Sequence, residues 1–397
     1  MRLWLLMTAL AVSLPARAQL PNPIRIGVLT DLSGPFADQV GPGSVAAARL
    51  AAEDFKAESG GIDVEIVSAD HLNKPDIGAG IARRWFDQDN VHAVVDLPNS
   101  GVAFAVITAA KERNRTALAS SSMSSDITGK ACQSTTVQWV SDTWAQGRST
   151  AVGLKAQGLD KWYFLTVNYA LGLSLESDAT AALTALGGQS MGSSRDPLGT
   201  TDFAGPLLAA QASGANVLAL ASTGFDLINA VKQAGEFGLS GKLTPAALFI
   251  QLSDVHALGL PVAQGLQLTA GFYWDRTDAT RAWSRRFGAV MGGRMPTEDH
   301  AGVYSATLAW LRAARDARTI EGEAVVEQMK RTPINDPLWG PVTIRADGRA
   351  IHDMYRFRVK APSESKGPYD YYQLLATIPA ADAFRPVAQG GCTRLTP

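Results

Sequence analysis

The chain has 397 residues, 46% hydrophobic and 18% charged, with a formal net charge of −1. This is the composition of an ordinary globular protein, and the near-balance of charge excludes the electrostatic footprint of a nucleic-acid or acidic-lipid binder. A chain of this length is expected to divide into two domains rather than bury a single core.

Residues 1–18 read as an export signal. Arg2 precedes an apolar run from Leu3 to Leu14, and Ala16-Arg17-Ala18 supplies a small-x-small cleavage pattern before Gln19. The run is short for a bilayer span, which favours a cut after Ala18 over an uncleaved anchor. The residue at the cut is Gln19 and not a cysteine, so no lipid anchor is expected. Loss of Arg2 and Arg17 takes the mature chain from −1 to −3.

The mature chain then alternates β-branched apolar runs with longer helical patterns, the signature of parallel βαβ units. Ile24 to Leu29 reads as a strand, Gly43 to Glu58 as a helix, Val64 to Ser68 as a strand and Ile77 to Gln88 as a helix. Ala93 to Asp96 is a short strand ending in Pro98-Asn99-Ser100-Gly101. Val102 to Arg113 is a helix, and Thr116 to Ala119 a strand running into Ser120-Ser121-Ser122. After a polar stretch the pattern restarts, with strands at Trp162 to Val167 and Val217 to Ala221 and helices at Gly172 to Leu186 and Leu227 to Phe237. Leu248 to Leu252 and Gly265 to Thr269 read as further strands. Helices at Thr280 to Val290, Val303 to Arg318 and Ala324 to Arg331 are too few for a third domain and read as the chain returning to the first lobe. From Val342 the pattern is a β-hairpin, with a turn at Ala346-Asp347-Gly348 and a strand from Met354 to Lys360.

Cys132 and Cys392 are the only cysteines. In an oxidising compartment they are expected to pair, with two free buried thiols as the alternative.

No catalytic or metal motif stands in its required setting. Gly188-Gln189-Ser190-Met191-Gly192 has nucleophile-elbow spacing, but it follows a helix where a strand is needed. Ser363 to Lys366 satisfies S-x-x-K but lies in a loop. Glu298-Asp299-His300 is the one carboxylate-histidine cluster, and adjacent residues on a helix point apart. No phosphate loop and no cofactor motif is present. What remains is a set of hydroxyl-bearing loops at strand ends: Ser33-Gly34, Asn99-Ser100-Gly101, Ser120 to Ser122 and Ser222-Thr223-Gly224. Serines before helix N-termini either cap their helices or, with the free backbone N–H groups, receive a carboxylate. Tyr169, Phe272, Tyr273 and Trp274 are candidates to cover an apolar ligand body.

Taken in order, these segments resemble the periplasmic solute-binding proteins of ABC transporters, of the branched-chain amino acid binding type. The resemblance is carried by Ile26-Gly27-Val28 with Leu32-Ser33-Gly34-Pro35, by Lys74-Pro75-Asp76, and by Asn99-Ser100-Gly101. It continues through Thr201-Asp202-Phe203, Val231-Lys232-Gln233-Ala234 with Gly238-Leu239, and Met354-Tyr355. It implies an α/β fold of two doubly wound lobes joined by a three-stranded hinge, with residues 19–142 plus 271–340 in one lobe and 143–270 plus 341–397 in the other.

It also implies a ligand cleft in which Asn99, Ser100, Gly101, Ser121 and Ser122 hold a carboxylate. Tyr169 packs from the second lobe, with further contacts near Thr223 and Gln251. The expected partners are a small carboxylate-bearing solute and a membrane permease with its ATPase, the protein itself being a periplasmic monomer. A sensory receptor subunit of the same fold, or a periplasmic enzyme, are the alternatives. One departure matters. Family members that bind amino acids present an acidic side chain to the ligand ammonium, and Ile250-Gln251-Leu252 offers none. That favours an aromatic or keto acid lacking the amine, unless Asp226 or Asp254 supplies the charge.

Overall fold

The structure is a computed structural model describing residues 20–395, and the export signal expected at residues 1–18 lies outside them. The first βαβ series comprises strands β1 (Ile24–Thr30), β2 (Val64–Asp70), β3 (Ala93–Asp96), β4 (Thr116–Ala119) and β5 (Thr136–Gln138). Helices α1 (Gly41–Glu58), α2 (Pro75–Asp87) and α3 (Ser100–Glu112) connect the first four. The strands pair in parallel in the order β2-β1-β3-β4-β5. β1, β3 and β4 are buried on both faces, which is why they read as unbroken apolar runs rather than as alternation.

The second series begins with helix α4 (Thr143–Lys155). It continues through β6 (Lys161–Val167), α5 (Ala170–Ala185), β7 (Gln189–Asp196), α6 (Ala204–Ala212), β8 (Val217–Ala221), α7 (Gly224–Glu236) and β9 (Thr244–Ala247). Its strands are also parallel, in the order β7-β6-β8-β9. Then come the short helices α8 (Leu252–Leu258) and α9 (Leu260–Ala263) and the strand β10 (Gln267–Ala270). Three helices return toward the first sheet: α10 (Asp278–Val290), α11 (Glu298–Ala317), which packs along α1, and α12 (Gly322–Arg331).

The chain beyond residue 331 is shared between the lobes. Strands β11 (Ile334–Asp336), β12 (Gly340–Ile344) and β13 (Ala350–Ile351) form a small antiparallel sheet, and Arg349 bridges to Gln138 at the end of the first sheet. Strand β14 (Met354–Val359) pairs instead with β10, and β15 (Tyr372–Ile378) pairs with β14, both antiparallel. After helix α13 (Ala380–Ala383), the final segment returns to the first lobe, where Cys392 is disulfide-bonded to Cys132.

The strand expected at Leu248 to Leu252 is absent. β9 lies earlier, and Leu248, Phe249 and Ile250 are buried as the chain leaves the sheet. A helix begins at Leu252, where the Asp254 carboxylate accepts from the Gln251 backbone N–H at 2.9 Å and satisfies one donor at the helix start. Phe272, Tyr273 and Trp274 do not face the cleft either. Phe272 packs edge-on against Trp283, while Tyr273 and Trp274 both donate to the Tyr369 carbonyl at 3.0 and 2.7 Å. Burial in the hinge region uses both their rings and their polar tips.

Three crossovers connect the lobes and lie side by side. The Glu298 carboxylate accepts from Ser141 N on the first crossover at 3.0 Å and from Gly271 N on the second at 3.1 Å. His352, on the third, contacts the Trp139 carbonyl through Nε2 at 3.1 Å. One buried acid therefore staples two of the three connections.

Candidate functional site

Open α/β sheets bind ligands beyond the carboxyl ends of their strands, where the strand order reverses. In the first sheet that point lies between β1 and β3, and in the second between β6 and β8. The β1 and β3 ends lead into Asp31 to Phe36 and Asp96 to Gly101; the β6 and β8 ends lead into Asn168-Tyr169 and Ser222 to Gly224. The two switch points face each other, because residues from these loops meet across the gap.

In the first lobe the β3 end turns sharply. Asp96 and Leu97 both adopt left-handed φ, at 85° and 63°, a conformation costly for side-chain-bearing residues and held by the loop around it. Ser121 and Ser122 do the holding: their hydroxyls donate short bonds to the Asp96 carboxylate and the Leu97 carbonyl. Asn99 caps α3, its Oδ1 accepting from Gly101 N at 2.9 Å and Val102 N at 3.2 Å. These groups are spent within the lobe. Ser100 differs, because its Oγ is fully buried with no hydrogen-bond partner.

In the second lobe Tyr169 precedes α5, its hydroxyl buried and unpartnered and its ring 6.2 Å from that of Phe36 in the first lobe. Thr223 precedes α7, and its Oγ1 accepts from Gln39 Nε2 of the first lobe at 2.8 Å. Gln39 Nε2 also reaches the Asp254 carboxylate at 2.8 Å, so one amide latches the lobes at two points. At Gly224, with φ at +60°, an added Cβ would lie 2.7 Å from the Pro35 carbonyl, so the closed arrangement requires glycine there. Gln251 Oε1 accepts from Glu298 N at 3.3 Å, while its Nε2 has no partner.

The structure thus gives Tyr169, Thr223 and Gln251 contacts with the opposite lobe, stands Ser100 at the first-lobe switch point, and uses Asn99, Gly101, Ser121 and Ser122 within that lobe. Among the buried side-chain polar atoms without partners are Ser100 Oγ from the first lobe and Tyr169 OH, Ser222 Oγ and Gln251 Nε2 from the second. The sequence reading did not identify Gln39 or Phe36 as site residues, and it gave Ser222 only as part of the hydroxyl-bearing loop Ser222-Thr223-Gly224. Gln39 lies in a loop with no motif, and only the opposing lobe gives it meaning.

The acids in the gap are perturbed by burial. Asp96 is pushed up to about 6 and Asp254 to about 7. For Asp254 the folded state keeps a proton that the unfolded state has lost above its ordinary value of 3.8, so its contribution to stability declines as pH rises toward about 7. Asp254→Asn keeps an oxygen acceptor but cannot ionise. The melting temperature of this variant relative to the parent should therefore climb between pH 4 and about 7 and level off above. A gap that stays constant over that range would contradict the assignment.

Glu298, Asp299 and His300 engage different partners: Glu298 the crossovers, Asp299 the Gln251 side chain, and His300 the Val40 carbonyl at 2.9 Å. Among the described residues no three His, Cys, Asp or Glu side chains are grouped to hold a metal ion. Ser190 of the elbow-like motif is exposed on β7, an edge strand, and Ser363 is exposed. No helix among the described residues is long and apolar enough to cross a membrane.

A family model described as periplasmic binding protein matches residues 23–368. A solved periplasmic binding protein from Burkholderia mallei is 39% identical, covering 94% of this chain and 100% of its own, with a TM-score of 0.92. A branched chain amino acid ABC transporter periplasmic ligand-binding protein from Burkholderia xenovorans is 37% identical over 93% of this chain and 99% of its own, with a TM-score of 0.82. A solute binding protein from Rhodopseudomonas palustris in complex with 3,4-dihydroxy benzoic acid shares the fold at 17% identity and a TM-score of 0.78, covering 90% of this chain and 98% of its own. No curated protein matches the chain.

Proposed function

The chain belongs to the periplasmic binding protein family, and on that premise we propose that it captures a small carboxylate-bearing solute, an aromatic, keto or amino acid, and delivers it to an ABC importer. The observation that carries this reading is the set of buried, unpartnered polar atoms drawn from both lobes: Ser100 Oγ, Tyr169 OH, Ser222 Oγ and Gln251 Nε2. A solute placed among them satisfies groups that otherwise lose their hydration without compensation. The 37% identical relative supports an importer as the partner.

In this reading residues 19–142 plus 271–340 act as one body and 143–270 plus 341–397 as the other, apart from the segments after residue 340 that lie against the first lobe. The ligand favours the closed state because it contacts both bodies. Ser100 receives the carboxylate, with Ser121, Ser122, Asn99 and Gly101 shaping the loop around it. Tyr169, Thr223 and Gln251 close from the other side. The protein works as a monomer in the periplasm, after removal of residues 1–18, and docks on a permease whose ATPase drives uptake. No chemical step on the solute is involved.

Mass spectrometry of the ligand released from purified protein, followed by a thermal-shift panel of amino, keto and aromatic acids, tests the proposal. A bound solute raises the melting temperature by mass action. A small carboxylic acid that both co-purifies and shifts melting is the expected result. A released ligand without a carboxylate would refute the proposed solute class.

A further inference from the structure

We propose that the second lobe carries a further binding site, separate from the interlobe cleft, for a small organic monoanion with an apolar body, seated between helix α4 and the sheet of β10, β14 and β15. A cavity of about 400 Å³ lies there, within the size range of small-molecule sites. Its walls follow from local structure. Ala145, Arg148, Ser149 and Val152 stand at i, i+3, i+4 and i+7 of α4 and therefore share one helix face. Opposite them, Arg356 of β14 pairs in register with Thr269 of β10 and Ala376 of β15, so these three side chains project from one face of the sheet. Met354 and Ile378, the cross-strand pair two residues along, lie on the same face.

The charge of this cavity sets it apart. Arg356 is half-buried, and its Nε is buried with no hydrogen-bond partner. Arg148 is exposed and stacks over the Trp144 ring at 5.3 Å. Neither guanidinium has a carboxylate partner among the described residues. Two residues along the same strand the usual arrangement is found, with Arg358 answered by Glu364 at 2.7 Å. The acid at the cavity is Asp382 of α13, which is exposed, so two guanidiniums face one carboxylate and the walls keep a positive charge in excess. Helix α4 also makes room for the inner arginine. At Gly153 an added Cβ would lie 2.6 Å from Arg356 Nη1, so the missing side chain lets the guanidinium lie close against the helix.

The Thr269 and Ser149 hydroxyls are bonded to each other at 2.6 Å, and the other uncharged side chains of the lining are apolar. Recognition therefore falls to the guanidiniums, whose N–H donors suit an oxyanion, and to Met354, Ile378 and Val152, which suit an apolar body. An oxyanion seated against Arg356 supplies the acceptor that its buried donor lacks. A neutral alcohol of the same shape leaves the positive charge unanswered. None of these lining residues belongs to the cleft between the lobes.

Cocrystals of the mature protein with 6-bromohexanoate, read by bromine anomalous scattering, and calorimetry of the same probe at pH 7 test the site. Bromine density between α4 and the sheet is the expected result. Arg356→Gln and Arg148→Gln should each weaken binding by about tenfold, and 6-bromohexan-1-ol should bind about tenfold more weakly than the acid. Tyr169→Ala, in the cleft, should leave the affinity for this probe unchanged. Because Arg148 is exposed, Arg148→Gln keeps the test decisive even if Arg356→Gln fails to fold. Bromine found only in the cleft or nowhere, undiminished affinity in a folded arginine variant, or an alcohol that binds as tightly as the acid overturns the site. Each of those results leaves solute capture in the cleft standing.

Discussion

Arg349→Ala should lower the free energy of unfolding by about 3–5 kcal/mol, because it removes one partner from a buried charge network. Arg349 is fully buried, and its guanidinium donates to the Ala350 carbonyl at 3.1 Å, to the Trp139 carbonyl at 3.1 Å and to the Val140 carbonyl. It lies 3.8 Å from the Asp142 carboxylate and 4.2 Å from the centre of the Phe384 ring. Burial lowers its pKa to about 10, still far above neutrality, so it is charged where the protein works. Those contacts hold the first crossover, Trp139 to Asp142, against the third and against the C-terminal segment. Removing the side chain leaves Asp142 buried without its cation and takes a donor from each of three carbonyls. Arg349→Lys keeps the charge but not the planar fork or the ring stack, so it should fall between the parent and Arg349→Ala. Urea unfolding monitored by tryptophan fluorescence measures both, and an Arg349→Ala loss below about 1 kcal/mol would contradict the hinge role.

Much of the fold was legible because parallel strands buried on both faces announce themselves. β1, β3, β4, β6 and β8 all coincide with apolar runs, and Gly238, with φ at +65°, follows α7 as the sequence suggested. β9 was misplaced because Leu248-Phe249-Ile250 is as apolar as a strand, and periodicity cannot tell a buried lead-in from a ladder. The Gln251-x-x-Asp254 spacing was the signal that could have shown the helix start. The Cys132–Cys392 bond followed from cysteine count and compartment.

The cleft was legible only in outline. Serines at strand ends marked the right loops, yet sequence could not separate Ser100, whose hydroxyl is free, from Ser121 and Ser122, whose hydroxyls brace a left-handed turn. Gln39 gains its role from the opposite lobe, and contacts across about 200 residues leave no local pattern.

The second large effect concerns the cleft itself. Tyr169→Ala removes an aromatic wall from the second lobe and a buried hydroxyl, and should weaken solute binding by about a hundredfold. Ser100→Ala removes one hydroxyl from the first lobe and should cost about tenfold. Neither side chain has a hydrogen-bond partner in the protein through these hydroxyls, so both variants should fold with little change in melting temperature. Because they stand on opposite lobes, joint sensitivity to both is the mark of a ligand held between them. Calorimetric titration of the solute released from the purified protein into parent, Ser100→Ala and Tyr169→Ala is the most direct measurement. The account predicts weaker binding in both folded variants, by about tenfold or more, and unchanged affinity in both would contradict it.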